Sequence, residues 1–115
     1  MCIRDSGTGV TAAAKTGAGA AIVTYVAASQ KALDATYPQS SLSGSSRRIQ
    51  YVTTWGAGVA TATAIAEAVI TNETPITNVA GTAANTIARA LLSSTVNKEA
   101  GDTLVLTWNH DLLGA

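Results

Sequence analysis

Hydrophobic and polar residues alternate most regularly along the last long segment of the chain. After a polar turn at Lys98–Asp102, every second residue from Leu104 to Trp108 is large and apolar. Alternation with a period of two is typical of a half-buried β-strand. We therefore predict a strand over Thr103–His110, and a preceding strand, Thr86–Val96, that pairs back onto it through the turn as a closing hairpin.

The same alternation predicts two more strands in the middle of the chain. Over Arg47–Trp55, isoleucine, tyrosine, threonine and tryptophan share one face, and mainly polar residues share the other. Gly56-Ala57-Gly58 then breaks the pattern, as a turn or a bulge does. In Val59–Asn72, β-branched residues alternate with a face that is almost all alanine, and this favours a strand although alanine also favours helices. A face of small side chains lets another layer approach closely.

The first half of the chain has a weaker pattern. Gly7–Gly19 is rich in glycine, threonine and alanine and is interpreted as a loop. Ala20–Ala35 is ambiguous, and we favour a strand at Ile22–Val26 followed by a turn or a short helical segment. The serine-rich Ser40–Ser46 predicts a loop, and so does the polar segment Asn72–Asn85.

These elements predict one all-β domain. Short strands separated by glycine, proline and asparagine indicate an antiparallel β-sandwich or an open barrel, with one short helix in the N-terminal third. Met1–Ser6 resembles a translated sequencing-adapter end, so we interpret residues 1–6 as an artefactual scar and leave them out of the fold. The alternative is a genuine start with a short polar N-terminus. On the scar interpretation, residues 7–115 are a single β domain that is truncated at its N-terminus.

Composition narrows the classes of partner. Seven basic residues balance seven acidic ones, so a net charge of zero offers no general attraction for nucleic acid. No apolar run is long enough to span a bilayer, and we expect no membrane partner. The single cysteine and the single methionine lie in the segment that is set aside, so no disulfide or thiolate chemistry is expected in the remainder.

Catalysis needs ionisable groups that converge on one point, and the sequence offers few. His110 is the only histidine, and the adjacent Asp111 would point to the opposite face of a strand. The other carboxylates are scattered, without the spacing of a calcium loop. Gly7–Ala12 fits the outline of a dinucleotide fingerprint but lacks the buried strand and the helix that must flank it, so a flexible turn is the better interpretation. We expect no enzyme activity, no catalytic residue, no cofactor and no metal.

Two groups of residues remain as candidates for a site. Glu67 and Arg89 each lie in the middle of an otherwise uncharged predicted strand, and on neighbouring strands they would pair across a sheet. The two residues would then form a structural ion pair or remain two separately solvated side chains, or they would make a polar contact at a subunit interface. Trp55 and Trp108 are interpreted as core anchors. If exposed beside Tyr51, they would instead suggest stacking against a sugar.

Four sequence patterns in the second half of the chain carry a resemblance to a known family. They are Y-V-T-T-W-G-A-G-V-A-T at Tyr51–Thr61, A-I-A-E-A at Ala64–Ala68, I-A-R-A at Ile87–Ala90, and V-N-K-x-A-G-D-T-L-x-x-T-W at Val96–Trp108. Over Ile49–Ala115 the chain resembles the C-terminal part of small tailed-phage virion proteins of the tail-fibre-like type. It departs from them at Val69-Ile70 and after Trp108.

The resemblance implies a β-rich component of a phage particle that is made in the host cytoplasm and attached to the tail or a tail fibre. It implies a homo-oligomer that also contacts other virion proteins, and it supplies no catalytic residues. The expected function is therefore non-enzymatic and structural. The alternative is a β module that binds carbohydrate or a cell surface through Tyr51, Trp55 or Trp108.

Overall fold

The regular secondary structure of the protein is almost all antiparallel β-strand. The computed structural model describes residues 3–72 and 76–112. The strands in these ranges are β1 (Ile3–Gly7), β2 (Lys31–Ala32), β3 (Gln39–Ser43), β4 (Ser46–Trp55), β5 (Ala62–Thr71), β6 (Thr86–Lys98) and β7 (Leu104–Leu112). A single 3₁₀ turn at Gly17–Ala20 supplies helical structure in the N-terminal third.

The strands form two sheets. The first has the order β2-β1-β5-β6 and the second has the order β3-β4-β7, and every pairing is antiparallel. The sheets stay separate and do not close on each other. The prediction of an all-β, sandwich-like fold is therefore confirmed.

The core lies where β4 and β5 face each other. Trp55 on β4 and Ile65 on β5 are almost fully buried, and Val26 and Ala60 complete the cluster. Half-buried side chains of β6 and β7 pack around it, namely Leu92, Val96, Leu104 and Leu106. Apolar burial of this kind, at roughly 25 cal/mol per Å², is what holds the two sheets together.

The four strands predicted from alternation are present, with ends shifted by a few residues. β4 and β7 pair along their whole length, from Arg47 opposite Leu112 to Trp55 opposite Leu104. Leu104 and Leu106 fall on the face of β7 that turns toward the core, as their spacing predicts. The alternation therefore located the strands correctly.

The predicted closing hairpin is wrong. β6 pairs with β5 and β7 pairs with β4, so the turn after β6 carries the chain from one sheet to the other. Lys98 explains the change, because it is 2% exposed and its Nζ donates to the carbonyls of Gly56 (2.9 Å) and Asp102 (2.8 Å). These bonds fix the turn over the end of the sandwich, where the two strands face each other through side chains.

Two predictions for the first half are also wrong. Ser40–Ser46 is not a loop, since β3 and β4 form a hairpin across the two-residue turn at Gly44 and Ser45. Ile22–Val26 is not a strand, and only Tyr25 makes an isolated bridge, to Gly7. A positive φ of 61° at Gly44 permits the tight turn in a serine-rich stretch that offers little hydrophobic signal.

β1 falls mostly within the residues that the sequence analysis set aside. It lies between β2 and β5 in the first sheet, with Asp5 and Ser6 buried. Leaving residues 1–6 out of the fold therefore missed a central strand.

Candidate functional site

Glu67 lies on β5 with its side chain 0% exposed. Arg89 lies on β6, one step diagonal to it in the antiparallel register, since Glu67 is opposite Leu91 and Val69 is opposite Arg89. The guanidinium donates to Glu67 Oε2 from Nε at 2.9 Å and from Nη2 at 2.7 Å. The sheet therefore brings together the two charges that the sequence singled out, as an ion pair with both side chains buried.

The same carboxylate also binds main-chain N–H groups of the N-terminal segment. Its Oε1 accepts hydrogen bonds from the main-chain N–H groups of Gly9 and Thr24, each at 2.9 Å. The N–H of Val23 lies 3.1 Å from both carboxylate oxygens. Arg89, the other member of the ion pair, donates from Nη1 to the carbonyl of Thr11 at 2.7 Å. Glu67 and Arg89 thus hold two stretches of backbone, Gly9–Thr11 and Val23–Thr24, against the outer face of the first sheet. We name this group the Glu67 cluster.

The two glycines of the Gly7-Thr8-Gly9 motif are explained by this carboxylate. A Cβ atom on Gly7 would lie 2.4 Å from Glu67 Oε1, and one on Gly9 would lie 2.5 Å from it. Any side chain at either position would displace the carboxylate or the strand. The residues after the motif form no helix until the 3₁₀ turn at Gly17–Ala20, so the segment lacks the geometry of a dinucleotide site.

The hydrogen bonds keep the Glu67 carboxylate ionised. Burial raises its pKa, but the main-chain donors of Thr24 and Val23, the Arg89 guanidinium and the Gly9 N–H together outweigh burial, so the pKa lies below the ordinary value of 4.5. A carboxylate that is ionised, enclosed and engaged on both oxygens does not transfer protons to a ligand. Its physical role is to anchor the chain.

The three candidate aromatic residues fall in different environments. Trp55 is 0% exposed and its Nε1 donates to the carbonyl of Ser29 at 2.8 Å, so it is a core anchor and cannot stack on a sugar. Tyr51 and Trp108 are half-buried and directly opposite each other on β4 and β7. Trp108 lines a groove of about 220 Å³ between the two sheets, whose other wall includes Ala68 and Ala90.

The remaining candidates for chemistry are dispersed. His110 is exposed on β7, and the neighbouring Asp111 forms an exposed ion pair with Arg48, with Nε 2.6 Å from Oδ1. Within residues 3–72 and 76–112, no group of three or more histidine, cysteine or acidic side chains could hold a metal ion. Over the same ranges, no helix has the length and apolar character needed to cross a membrane.

The two sides of the sandwich differ in how their sheet edges are covered. On one side, β2 has only two residues, and the chain after it crosses to the second sheet. There the Asp34 N–H donates to the Val52 carbonyl at 2.9 Å, and its carboxylate accepts from the Thr54 N–H and hydroxyl at 3.1 and 2.6 Å. This connection joins the two sheets and covers the sheet edges on that side.

The opposite side carries the two long edge strands. β6 has 13 residues and β7 has 9, and each is the last strand of its sheet within the described residues. Neither strand contains proline. Their charges are already engaged, Arg89 with Glu67, Lys98 with main-chain carbonyls and Asp111 with Arg48. We name this side, formed by β6 and β7, the open side. Sequence reasoning did not identify it, because strand order is a tertiary property.

Comparison with known proteins gives no relative: no protein-family model, no curated protein and no solved structure matches the chain.

Proposed function

We propose that the chain is a non-enzymatic structural module that assembles with itself and with other proteins of a tailed-phage particle, at the tail or a tail fibre. Assembly is the function that this fold supports best, since one side of it carries a pair of long sheet edges. The place of action is then the virion, after synthesis in the host cytoplasm.

The observation that carries the proposal is the open side. A sheet edge presents main-chain donors and acceptors in a row, and soluble proteins usually protect such a row with charges, proline, short strands or a covering segment. Here one side of the sandwich is covered at β2, while the arginine, lysine and aspartate side chains of β6 and β7 are all engaged within the same chain. Exposed apolar side chains flank both strands, with Ile87 57% exposed on β6 and Val105 55% exposed on β7. Such a surface favours pairing with another chain.

The assignment to a phage particle rests on the resemblance of Ile49–Ala115 to tail-fibre-like virion proteins. β4, β5, β6 and β7 all lie within that part of the chain. The open side is therefore built from the residues that carry the resemblance. The low charge of the chain and its many small side chains suit close packing between subunits.

Light scattering coupled to size-exclusion chromatography tests the assembly proposal on the full chain. We expect a defined oligomer whose population rises with protein concentration. A monomer at every concentration over a wide range would overturn self-assembly. Mass spectrometry of purified phage particles that encode the chain tests the location, and its absence from intact particles would overturn the virion assignment.

The groove beside Trp108 supports a second candidate, a carbohydrate- or cell-surface-binding module. A half-buried tryptophan next to tyrosine, at the mouth of an apolar groove, is the arrangement that stacks against a sugar ring. Titration with oligosaccharides, followed by tryptophan fluorescence, tests it. A response that Trp108→Ala abolishes supports binding, and an unchanged spectrum across neutral and acidic sugars excludes it.

A further inference from the structure

A cavity of about 420 Å³ lies beside the first sheet, where β6 begins. One wall is the segment that includes Ala13, Ala14 and Lys15, and the opposite wall is formed by Ala83 and the residues Thr86–Arg89. Sites for small molecules have volumes of roughly 300–1,000 Å³, and this cavity falls within that range. The function proposed above gives the cavity no role.

Hydrogen-bonded turns build both walls of the cavity. The Ala14 N–H donates to the carbonyl of Gly19 at 3.0 Å and closes a turn that carries Lys15. On the opposite wall, the Thr86 hydroxyl donates to the carbonyl of Thr82 at 2.8 Å. The walls are therefore formed by the folded chain itself, and a site that is formed in advance lowers the entropic cost of binding.

The Glu67 cluster joins the two walls. Arg89 lines the cavity, and its Nη1 donates at 2.7 Å to the carbonyl of Thr11, two residues before Ala13. Its Nε and Nη2 both donate to Glu67 Oε2. All three nitrogens of the guanidinium are thus engaged, and its charge is neutralised within the chain. Arg89 therefore positions one wall against the other and has no charge to offer to a ligand.

Lys15 supplies the charge of the cavity. Its side chain is exposed, and neither of the ion pairs among the described residues includes it. The described residues that line the cavity include no aspartate or glutamate. An anion beside Lys15 therefore meets a positive charge that no carboxylate of these lining residues already neutralises.

The rest of the lining is mostly apolar. Five of the nine described lining residues are alanine, so most of the wall is apolar. Ile87, 57% exposed, lies in the same lining and offers further apolar surface. A molecule that fits this lining has an apolar body, and a single cation matches one negative charge better than the two of a phosphate.

We propose that the cavity binds a small monocarboxylate with an apolar body, with the carboxylate on Lys15 and the apolar part against the alanines and Ile87. The cavity shares no lining residue with the groove beside Trp108, so this is a separate site. An exposed ion pair contributes little to affinity, and we expect a dissociation constant in the millimolar range at low ionic strength. The proposal does not depend on self-assembly.

Nuclear magnetic resonance of the ¹⁵N-labelled full chain tests the site with 4-phenylbutyrate as the probe. We expect saturable shifts of amide signals that are confined to residues 13–20 and 83–89. Acetate lacks the apolar body and 4-phenylbutyramide lacks the charge, so each should bind at least about threefold more weakly. Equal binding of the amide would overturn the carboxylate class. Shifts that cluster around Trp108, or no saturable shift up to the solubility limit, would overturn the site.

Substitutions of Lys15 test its role. Lys15→Glu should raise the dissociation constant about fivefold or more at low ionic strength, whereas Lys15→Arg keeps the charge and should stay within about twofold of wild type. Arg47→Glu is the matched control, because it changes the net charge equally at an exposed arginine of β4 in the second sheet. Equal weakening by Lys15→Glu and Arg47→Glu would overturn the contact with Lys15. Light scattering measures self-assembly separately, so either proposal can fail while the other stands.

Discussion

Replacing Glu67 by glutamine perturbs the Glu67 cluster with the least change of shape. Glutamine retains one oxygen that can accept from the main-chain N–H groups of Gly9 and Thr24. It loses the negative charge, and its amide NH₂ presents donors toward the guanidinium of Arg89, which is itself a donor only. The Arg89 side chain, 2% exposed, is then left as a buried cation without its partner.

The expected loss of stability is large because one member of a buried pair is removed. Breaking such a pair costs about 3–5 kcal/mol, against a total of roughly 5–15 kcal/mol for a typical domain. For a chain of this size, each kcal/mol lowers the melting temperature by about 4 °C, so a fall of roughly 12–20 °C is expected. The double variant Glu67→Gln/Arg89→Met removes both charges, and we expect it to be more stable than Glu67→Gln alone.

Urea unfolding followed by circular dichroism measures these differences. Asp111→Asn is the control, since it also removes one carboxylate from an ion pair with arginine, but that pair is exposed and its loss should change stability little. If Glu67→Gln proves no less stable than Asp111→Asn, the argument for the Glu67 cluster is refuted.

The pH dependence gives an independent check on the same residue. Because the pKa of Glu67 in the folded protein lies below its ordinary value of 4.5, its contribution to stability is fully present above that value and is lost as the pH falls through the folded pKa. The stability difference between wild type and Glu67→Gln should therefore shrink in acid. A difference that stays constant from neutral pH down to the acid limit of folding would contradict an ionised Glu67.

Two further substitutions probe the surroundings of the core. Gly9→Ala should destabilise the protein by about 1–3 kcal/mol or more, because its Cβ would collide with Glu67 Oε1. Gly101→Ala is the control: open space surrounds this glycine, so its stability should change by less than about 0.5 kcal/mol. Equal melting temperatures of the two variants would contradict the close approach at Gly9. Trp55→Phe should lower the free energy of unfolding by about 1–2 kcal/mol, because the carbonyl of Ser29 loses its donor. The fluorescence of this variant comes from Trp108 alone, and acrylamide should quench it readily because Trp108 is partly exposed. Poor quenching would contradict that exposure.

The strands could be predicted from the sequence because their signal is local. The alternation in Thr103–His110 reflects a half-buried face and an exposed face of β7, so this pattern is present within the strand itself. The alternation in Arg47–Trp55 also located its strand, although Val52 on the other face of β4 is buried as well. No such local pattern in the sequence shows which strand each one pairs with. The buried Lys98 converts an apparent hairpin into a connection between sheets, and its two carbonyl partners are known only once the chain is folded.

The candidate site shows the same division. Glu67 and Arg89 stand out in the sequence as charges within uncharged strands, and the structure sets them 2.7 Å apart. The need for glycine at Gly9 was not predictable, because the carboxylate that occupies the space is 58 residues away along the chain. The strand expected at Ile22–Val26 fails for a related reason. The N–H groups of Val23 and Thr24 bind that carboxylate in place of a neighbouring strand.

The strand pairing has a consequence for synthesis on the ribosome. β3 and β4 can form their hairpin as soon as both have emerged, but β4 receives its second neighbour only with β7, the last strand of the described chain. β1 cannot pair with β5, and the segment around Val23 cannot bind the Glu67 carboxylate, until β5 has been synthesised. Nascent chains that end before β7 therefore leave β4 with one side unpaired. Contacts this distant in sequence form slowly, so we expect the sandwich to close only after translation has delivered its C-terminal strand.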